Sequence, residues 1–173
     1  MKGMEFIEGV RALLGGEIDR EEFIIGAQPR LYADYRGYGV KVDILIEGEL
    51  LFVVCTPPPH QLRVRHEGTV SRALHHIGLT GHRTTGDSAF DDRYVLDFVS
   101  QEEVASLLSY EVRSLIVRLE PFVQIEFTHK EYRCLKAFKS FGDYRPAQVV
   151  SDLEALLRIV QLTSTLPGMH AGA

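Results

Sequence analysis

The segment Gly86-Asp87-Ser88-Ala89-Phe90-Asp91-Asp92-Arg93-Tyr94 crowds three carboxylates and a guanidinium around one aromatic ring. Two of those carboxylates would supply the hard oxygen atoms that a cation or another polar ligand takes. The same residues also write a turn. Gly86-Asp87 favours one, with the Asp87 side chain accepting from backbone N–H groups ahead of it. On that reading Phe90 plugs the core, while Asp91 neutralises Arg93 or caps a nearby chain end. Turn chemistry alone accounts for the pattern and is the more economical explanation.

A second cluster is basic. Arg63, Arg65, Arg72 and Arg83 make their stretch locally positive, with Glu67 interrupting it. On a strand Arg63 and Arg65 share a face. Paired guanidiniums grip a phosphate or a carboxylate. The competing reading is a solvated face that balances acidic neighbours, the ordinary state of exposed charge. The residues that stand as a ligand-binding set are therefore Arg63, Arg65, Asp87, Asp91 and Arg93.

Other chemistries find less support. His60, His66, His75, His76 and His82 lie close in sequence. His75 and His76 are adjacent, so on a helix they point about 100° apart rather than converging as zinc ligands must. No metal is expected. Nucleophile elbows and phosphate-cradling glycine loops are absent, so no catalytic set and no cofactor are expected either. The strand pair bearing Asp43, Glu47 and Glu49 resembles a metal-dependent nuclease core only loosely, because Leu50 and Leu51 stand where a lysine would be needed. Cys55 and Cys134 fall in apolar or strand-like runs outside any CxxC, and both are expected as small buried hydrophobes.

The elements that would position these groups follow from periodicity. Met4 to Leu14 carries Phe6, Ile7, Val10, Leu13 and Leu14 at helical spacing, and Gly15-Gly16 stops it. Glu17 to Glu22 reads as a charged connector and Phe23-Ile24-Ile25 as an apolar anchor. From Arg30 the period becomes two. Leu31 to Arg36 and Val40 to Ile46 read as strands, the second placing Val40, Val42, Ile44 and Ile46 on one face. Leu50 to Cys55 is apolar on both faces, as a central strand must be. Pro57-Pro58-Pro59 ends it, since proline lends no N–H to a ladder.

Leu62 to Arg65 and Arg93 to Val99 are further strands, separated by an ambiguous stretch from Thr69 to Ile77 and a loop from Gly78 to Gly86. Ser100-Gln101-Glu102-Glu103 is a capping box that opens one helix, and Tyr110 to Leu119 forms a second. Phe122 to Phe127 and Tyr132 to Phe138 pair around Thr128-His129-Lys130. A last helix begins at Pro146 with Val149, Val150, Leu153, Leu156, Leu157 and Val160 in one stripe. Asp152, Glu154 and Arg158 are expected opposite it, and residues 163–173 as a flexible tail.

Strands that come in adjacent pairs indicate an α+β class. The expectation is a mainly antiparallel sheet of five to seven strands, about the usual size. A C-terminal helix and a middle helix pair pack on it. The 173 residues suit one domain with its own core, residues 1–28 forming an N-terminal helix and connector. A formal net charge of -5 argues against broad phosphate-driven nucleic-acid binding. No apolar run approaches the roughly 18 residues of a membrane helix, and no signal-peptide pattern opens the chain, so a cytoplasmic location without direct membrane insertion is expected.

The run Thr85-Gly86-Asp87, Phe90-Asp91, Tyr94-Val95-Leu96, then Ser100 to Leu108 and Arg113 to Leu119, resembles a group of uncharacterised bacterial domains. Their G-D-x-x-F-D-x-x-F signature precedes a Leu-rich helix pair, and Tyr94 stands where the pattern usually has Phe. The resemblance implies a recurring structural unit, with no activity attached. Together these readings favour a non-enzymatic module that binds a protein or a small ligand, the expected protein partner being a second copy of the chain or another protein. The alternative is an enzyme of unrecognised type using the acidic 87–92 loop and nearby histidines.

Overall fold

The computed structural model describes residues 3–19, 29–46, 48–66, 83–137 and 143–164. Helix α1 spans Gly3–Leu14 and buries Phe6, Ile7, Val10 and Leu14. It ends at Gly15-Gly16, both with positive φ. A Cβ on Gly16 would stand 2.1 Å from the Tyr32 carbonyl oxygen, so only glycine lets this corner cross the neighbouring strand.

Strands β1 (Glu17–Asp19), β2 (Arg30–Tyr35), β3 (Tyr38–Ile46) and β4 (Glu49–Val54) follow as a meander. After β5 (Leu62–His66) come the short helix α2 (Ser88–Asp91) and β6 (Tyr94–Asp97). Helices α3 (Gln101–Leu107) and α4 (Tyr110–Arg118), the hairpin β7 (Gln124–Phe127) and β8 (Tyr132–Ala137), and α5 (Pro146–Ser164) complete the order. The strands form one eight-stranded sheet in the order β1-β2-β3-β4-β8-β7-β5-β6. Every pairing in it is antiparallel. The class is α+β.

The expected alternation is visible as two faces. Leu31, Val42, Phe52, Cys134, Ile125, Val64 and Leu96 stand on the inner face and are buried. Helix α5 lies against β4 and β8 and also packs on α1 and α4. Its Val149, Leu153, Leu156 and Val160 are fully buried, as the stripe required. The α3 residues Val104 and Leu107 join the same core. The capping box at Ser100 is formed in both directions, Glu103 N–H to Ser100 Oγ and Ser100 N–H to Glu103 Oε2. The Ser100 backbone N–H first, and then the Ser100 side chain, lower the Glu103 carboxyl below its usual range by stabilising its charged form.

Several expectations need correction. The sheet has eight strands because Glu17–Asp19, read as a connector, pairs with β2 at the sheet edge. Three residues, of which only Ile18 is apolar and packs against the core, are too few to show an alternation. Cys55 is exposed just past the end of β4, while Cys134 is buried; both thiols are free. The tail does not begin at Thr163: that residue lies in α5, is fully buried, and hydrogen-bonds the Tyr132 hydroxyl at 2.8 Å. The anchor Phe23-Ile24-Ile25, the stretch Thr69 to Ile77, the first part of the loop from Gly78, Phe138 and residues 165–173 lie outside the described residues.

Candidate functional site

The Asp-rich segment is organised around its own backbone. Asp87 is the N-cap of α2, its side chain accepting from the Phe90 N–H at 3.3 Å. Its other oxygen lies 3.3 Å from Arg113 Nε on α4. Asp91 accepts from the Thr85 N–H at 2.9 Å, the Thr85 hydroxyl at 2.8 Å and the Gly86 N–H at 3.1 Å. Of the two roles open to it, Asp91 thus caps the incoming chain. Arg93 turns instead to Glu120 at 3.4 Å and to the Tyr94 ring. Phe90 is buried with its ring 4.7 Å from that of Tyr94. The Tyr94 phenol is raised well above its ordinary range, first by burial and then by its hydrogen bond to Glu120.

Arg63 and Arg65 do share a face, the outer one, and each is matched across the sheet. Arg63 Nε lies 2.6 Å from Glu126 on β7, and Arg65 Nε lies 2.8 Å from Asp97 on β6. Arg63 also stacks on the Phe98 ring at 4.6 Å. Arg83 is exposed, and Arg72 lies outside the described residues. His60 pairs with Glu103 at 2.7 Å and His66 with Glu120 at 3.0 Å. His75, His76 and His82 lie outside the described residues. Among the described residues no three His, Cys, Asp or Glu side chains converge as a metal site would require. The acidic loop and the described histidines are thus engaged in separate contacts.

Two of the five residues singled out in the sequence, Asp87 and Arg93, meet at a groove between α2 and α4 of about 340 Å3. Its walls include Ala89, Phe90, Tyr110, Arg113 and Val117. On α4, Val112 and Ile116 point into the core, and Tyr110, Ser114 and Val117 recur at helical spacing on the opposite side. Tyr110 is 77% exposed and Val117 37%. Arg93, Arg113 and Asp87 stand beside this apolar surface.

A second cleft was not read from the sequence. Strand β8 places Tyr132, Cys134 and Lys136 on the inner face, so a lysine occupies a core position and is only 2% exposed. Its Nζ donates to Asp152 Oδ2 on α5, and the Tyr144 hydroxyl donates to the same oxygen. The Tyr144 ring lies 5.4 Å from the ammonium. Burial first, and then the Asp152 charge, drive the Tyr144 phenol far above its ordinary range, so it stays a neutral donor. Burial pushes the neighbouring Cys134 thiol up to about 12. These groups border a cleft of about 420 Å3 whose walls include Arg118, Glu120, Gln148 and Ser151. The sequence pattern puts Asp152 with Glu154 and Arg158 on the polar side of α5. It turns to the sheet because the ammonium there needs a counter-charge. The signal was present in the strand itself, where a lysine breaks the apolar phase of Tyr132 and Cys134.

No family model and no curated protein matches this chain. Among solved structures, it is similar to the crystal structure of the mycobacterial trehalose monomycolate transport factor A, TtfA. The TM-score is 0.57 at 12% identity, over 88% of this chain and 82% of that one. The likeness is one of fold.

Proposed function

We propose that this chain is a non-enzymatic binding module that takes a protein segment or a small ligand in the groove between α2 and α4. The observation that carries the reading is the exposed apolar wall of Tyr110 and Val117, set beside Arg93, Arg113 and Asp87. Helix surfaces facing water are ordinarily polar, and the exposed apolar surface of Tyr110 and Val117 gains free energy when covered. The recurring G-D-x-x-F-D unit serves here as the frame: Asp87 and Asp91 hold the α2 turn, and Phe90 anchors it, so that the groove keeps its shape. The similar fold belongs to a protein named as a transport factor.

The test uses 8-anilinonaphthalene-1-sulfonate, an apolar fluorescent probe with one anionic group. The native chain binds it with enhanced, blue-shifted emission. Val117→Asp abolishes that signal, whereas Leu13→Asp, at another exposed apolar position, leaves it unchanged. Equal binding by native chain and Val117→Asp removes the groove as the contact site.

A further inference from the structure

Tyr110 and Val117 stand seven residues apart on α4, which sets them about 10 Å apart along the helix axis. With Tyr110 77% exposed, the wall they form is open on its outer side. A small molecule lying there would leave much of its own surface in water, whereas sites for such molecules bury most of the ligand. A stretch of polypeptide gains more. One of its side chains covers each apolar residue, and its backbone runs past Ser114 between them, whose hydroxyl is turned back to the Tyr110 carbonyl.

Covering that wall also covers the guanidiniums beside it. Arg113 gives one N–H to the Leu108 carbonyl at 2.7 Å, and its Nε is buried 3.3 Å from Asp87 without a hydrogen bond. Arg93 gives one N–H to Glu120 at 3.4 Å, and Glu120 is shared with His66 and Tyr94. A guanidinium has five N–H donors, so both keep most of theirs for solvent or a ligand. A purely apolar segment would strip water from these donors and leave them unmet. A carboxylate answers them with short, charge-assisted bonds. Among the described residues, the one acid on the groove wall is Asp87, which is engaged by the Phe90 N–H and by Arg113. The groove is therefore a locally basic site on a chain whose formal net charge is -5.

We infer that the occupant of this groove, on the reading that it is the contact site, is an acidic segment of a partner protein. Two of its apolar side chains seat on Tyr110 and Val117, and an Asp or Glu beside them is held by Arg93 and Arg113. The apolar pair supplies the buried area, and the guanidiniums fix the register of the segment.

The experiment pans a phage-displayed library of random peptides on the full chain and measures the enriched peptides by fluorescence anisotropy. They are expected to carry Asp or Glu next to large apolar residues. Converting those acids to their amides should weaken binding about tenfold, the effect of a lost charged hydrogen bond. Arg93→Ala should do the same at an unchanged melting temperature. The amide peptides leave the protein native, so they test the carboxylate even if a groove variant misfolds. Neutral or basic enriched peptides, or acidic ones that bind as tightly after either change, overturn the inference. The groove itself then stands as the contact site if Val117→Asp abolishes their binding. Peptide binding that survives Val117→Asp removes both. Dye binding that is lost in Val117→Asp, with no peptide enriched, marks a small-ligand groove and overturns the protein partner.

Discussion

Replacing Asp152 by alanine strips the acceptor from two buried donors at once, the Lys136 ammonium at 2% exposure and the Tyr144 hydroxyl at 7%. Removing one partner of a buried ion pair costs about 3–5 kcal/mol, because the remaining charge is left in a low-dielectric site. The bond from the Tyr144 hydroxyl is lost as well, at about 1 kcal/mol, not fully additive with the first. Against a typical total stability of about 5–15 kcal/mol, Asp152→Ala should unfold a large fraction of the protein.

Lys136→Met is expected to be milder. It fills the site with a chain of similar length, and the Asp152 side chain, 14% exposed toward the cleft, keeps its bond from Tyr144. A cost of about 1–3 kcal/mol follows, that of a carboxylate losing one partner while partly solvated. The double variant removes both charges, so it should be more stable than Asp152→Ala alone. Urea unfolding of the three variants, followed by circular dichroism, gives the full cycle. The reasoning fails if Asp152→Ala costs under about 1 kcal/mol, or if the single effects add to within about 0.5 kcal/mol.

Two further outcomes follow from the same structure. Asp87→Ala loses the α2 cap and the Arg113 contact and should cost about 1–2 kcal/mol in chemical denaturation. Binding of the anilinonaphthalene probe should fall by less than that loss implies; the reverse order would make Asp87 a contact residue. Cys134 has a folded pKa of about 12 against an ordinary 9.0, so folding holds it protonated. Its contribution is therefore complete below about pH 9 and is lost as pH rises toward 12, at about 1.4 kcal/mol per pH unit in that window. Tyr94, Tyr132 and Tyr144, all raised chiefly by burial, add to the loss at higher pH. Stability measured across pH 9 to 10 should fall in the native chain and fall less steeply in Cys134→Ala, where the Cys55 thiol, also raised by burial, still adds to the loss. An identical slope in both would show that Cys134 is not the titrating group.

The residues differ in how much of their role could be read in advance. Phe90 as a core plug, Asp87 as a turn acceptor and Ser100 with Glu103 as a capping box are local devices. Each involves partners within a few residues, so sequence spacing specifies them. Arg63 and Arg65 were legible as a same-face pair. Their matching by Glu126 and Asp97 was not, because that depends on β5 lying between β7 and β6. Strand β1 was missed because an edge strand of three residues needs no apolar alternation. Cys55 was misjudged because the burial pattern of β4 ends one residue before it.

By itself the sequence determined the class, the meander, the capped helices and the inward stripe of α5, since period, turn residues and caps act over short stretches of chain. Only the tertiary structure decided which distant charges meet. Lys136 and Asp152 are separated by a whole segment, and nothing in either one's neighbours names the other. The sheet order places β8 beside β4, and α5 then lies across both. That packing brings a carboxylate to a buried ammonium and opens the cleft above them. Pairing of this kind depends on how surfaces are brought together, and local periodicity carries no record of it.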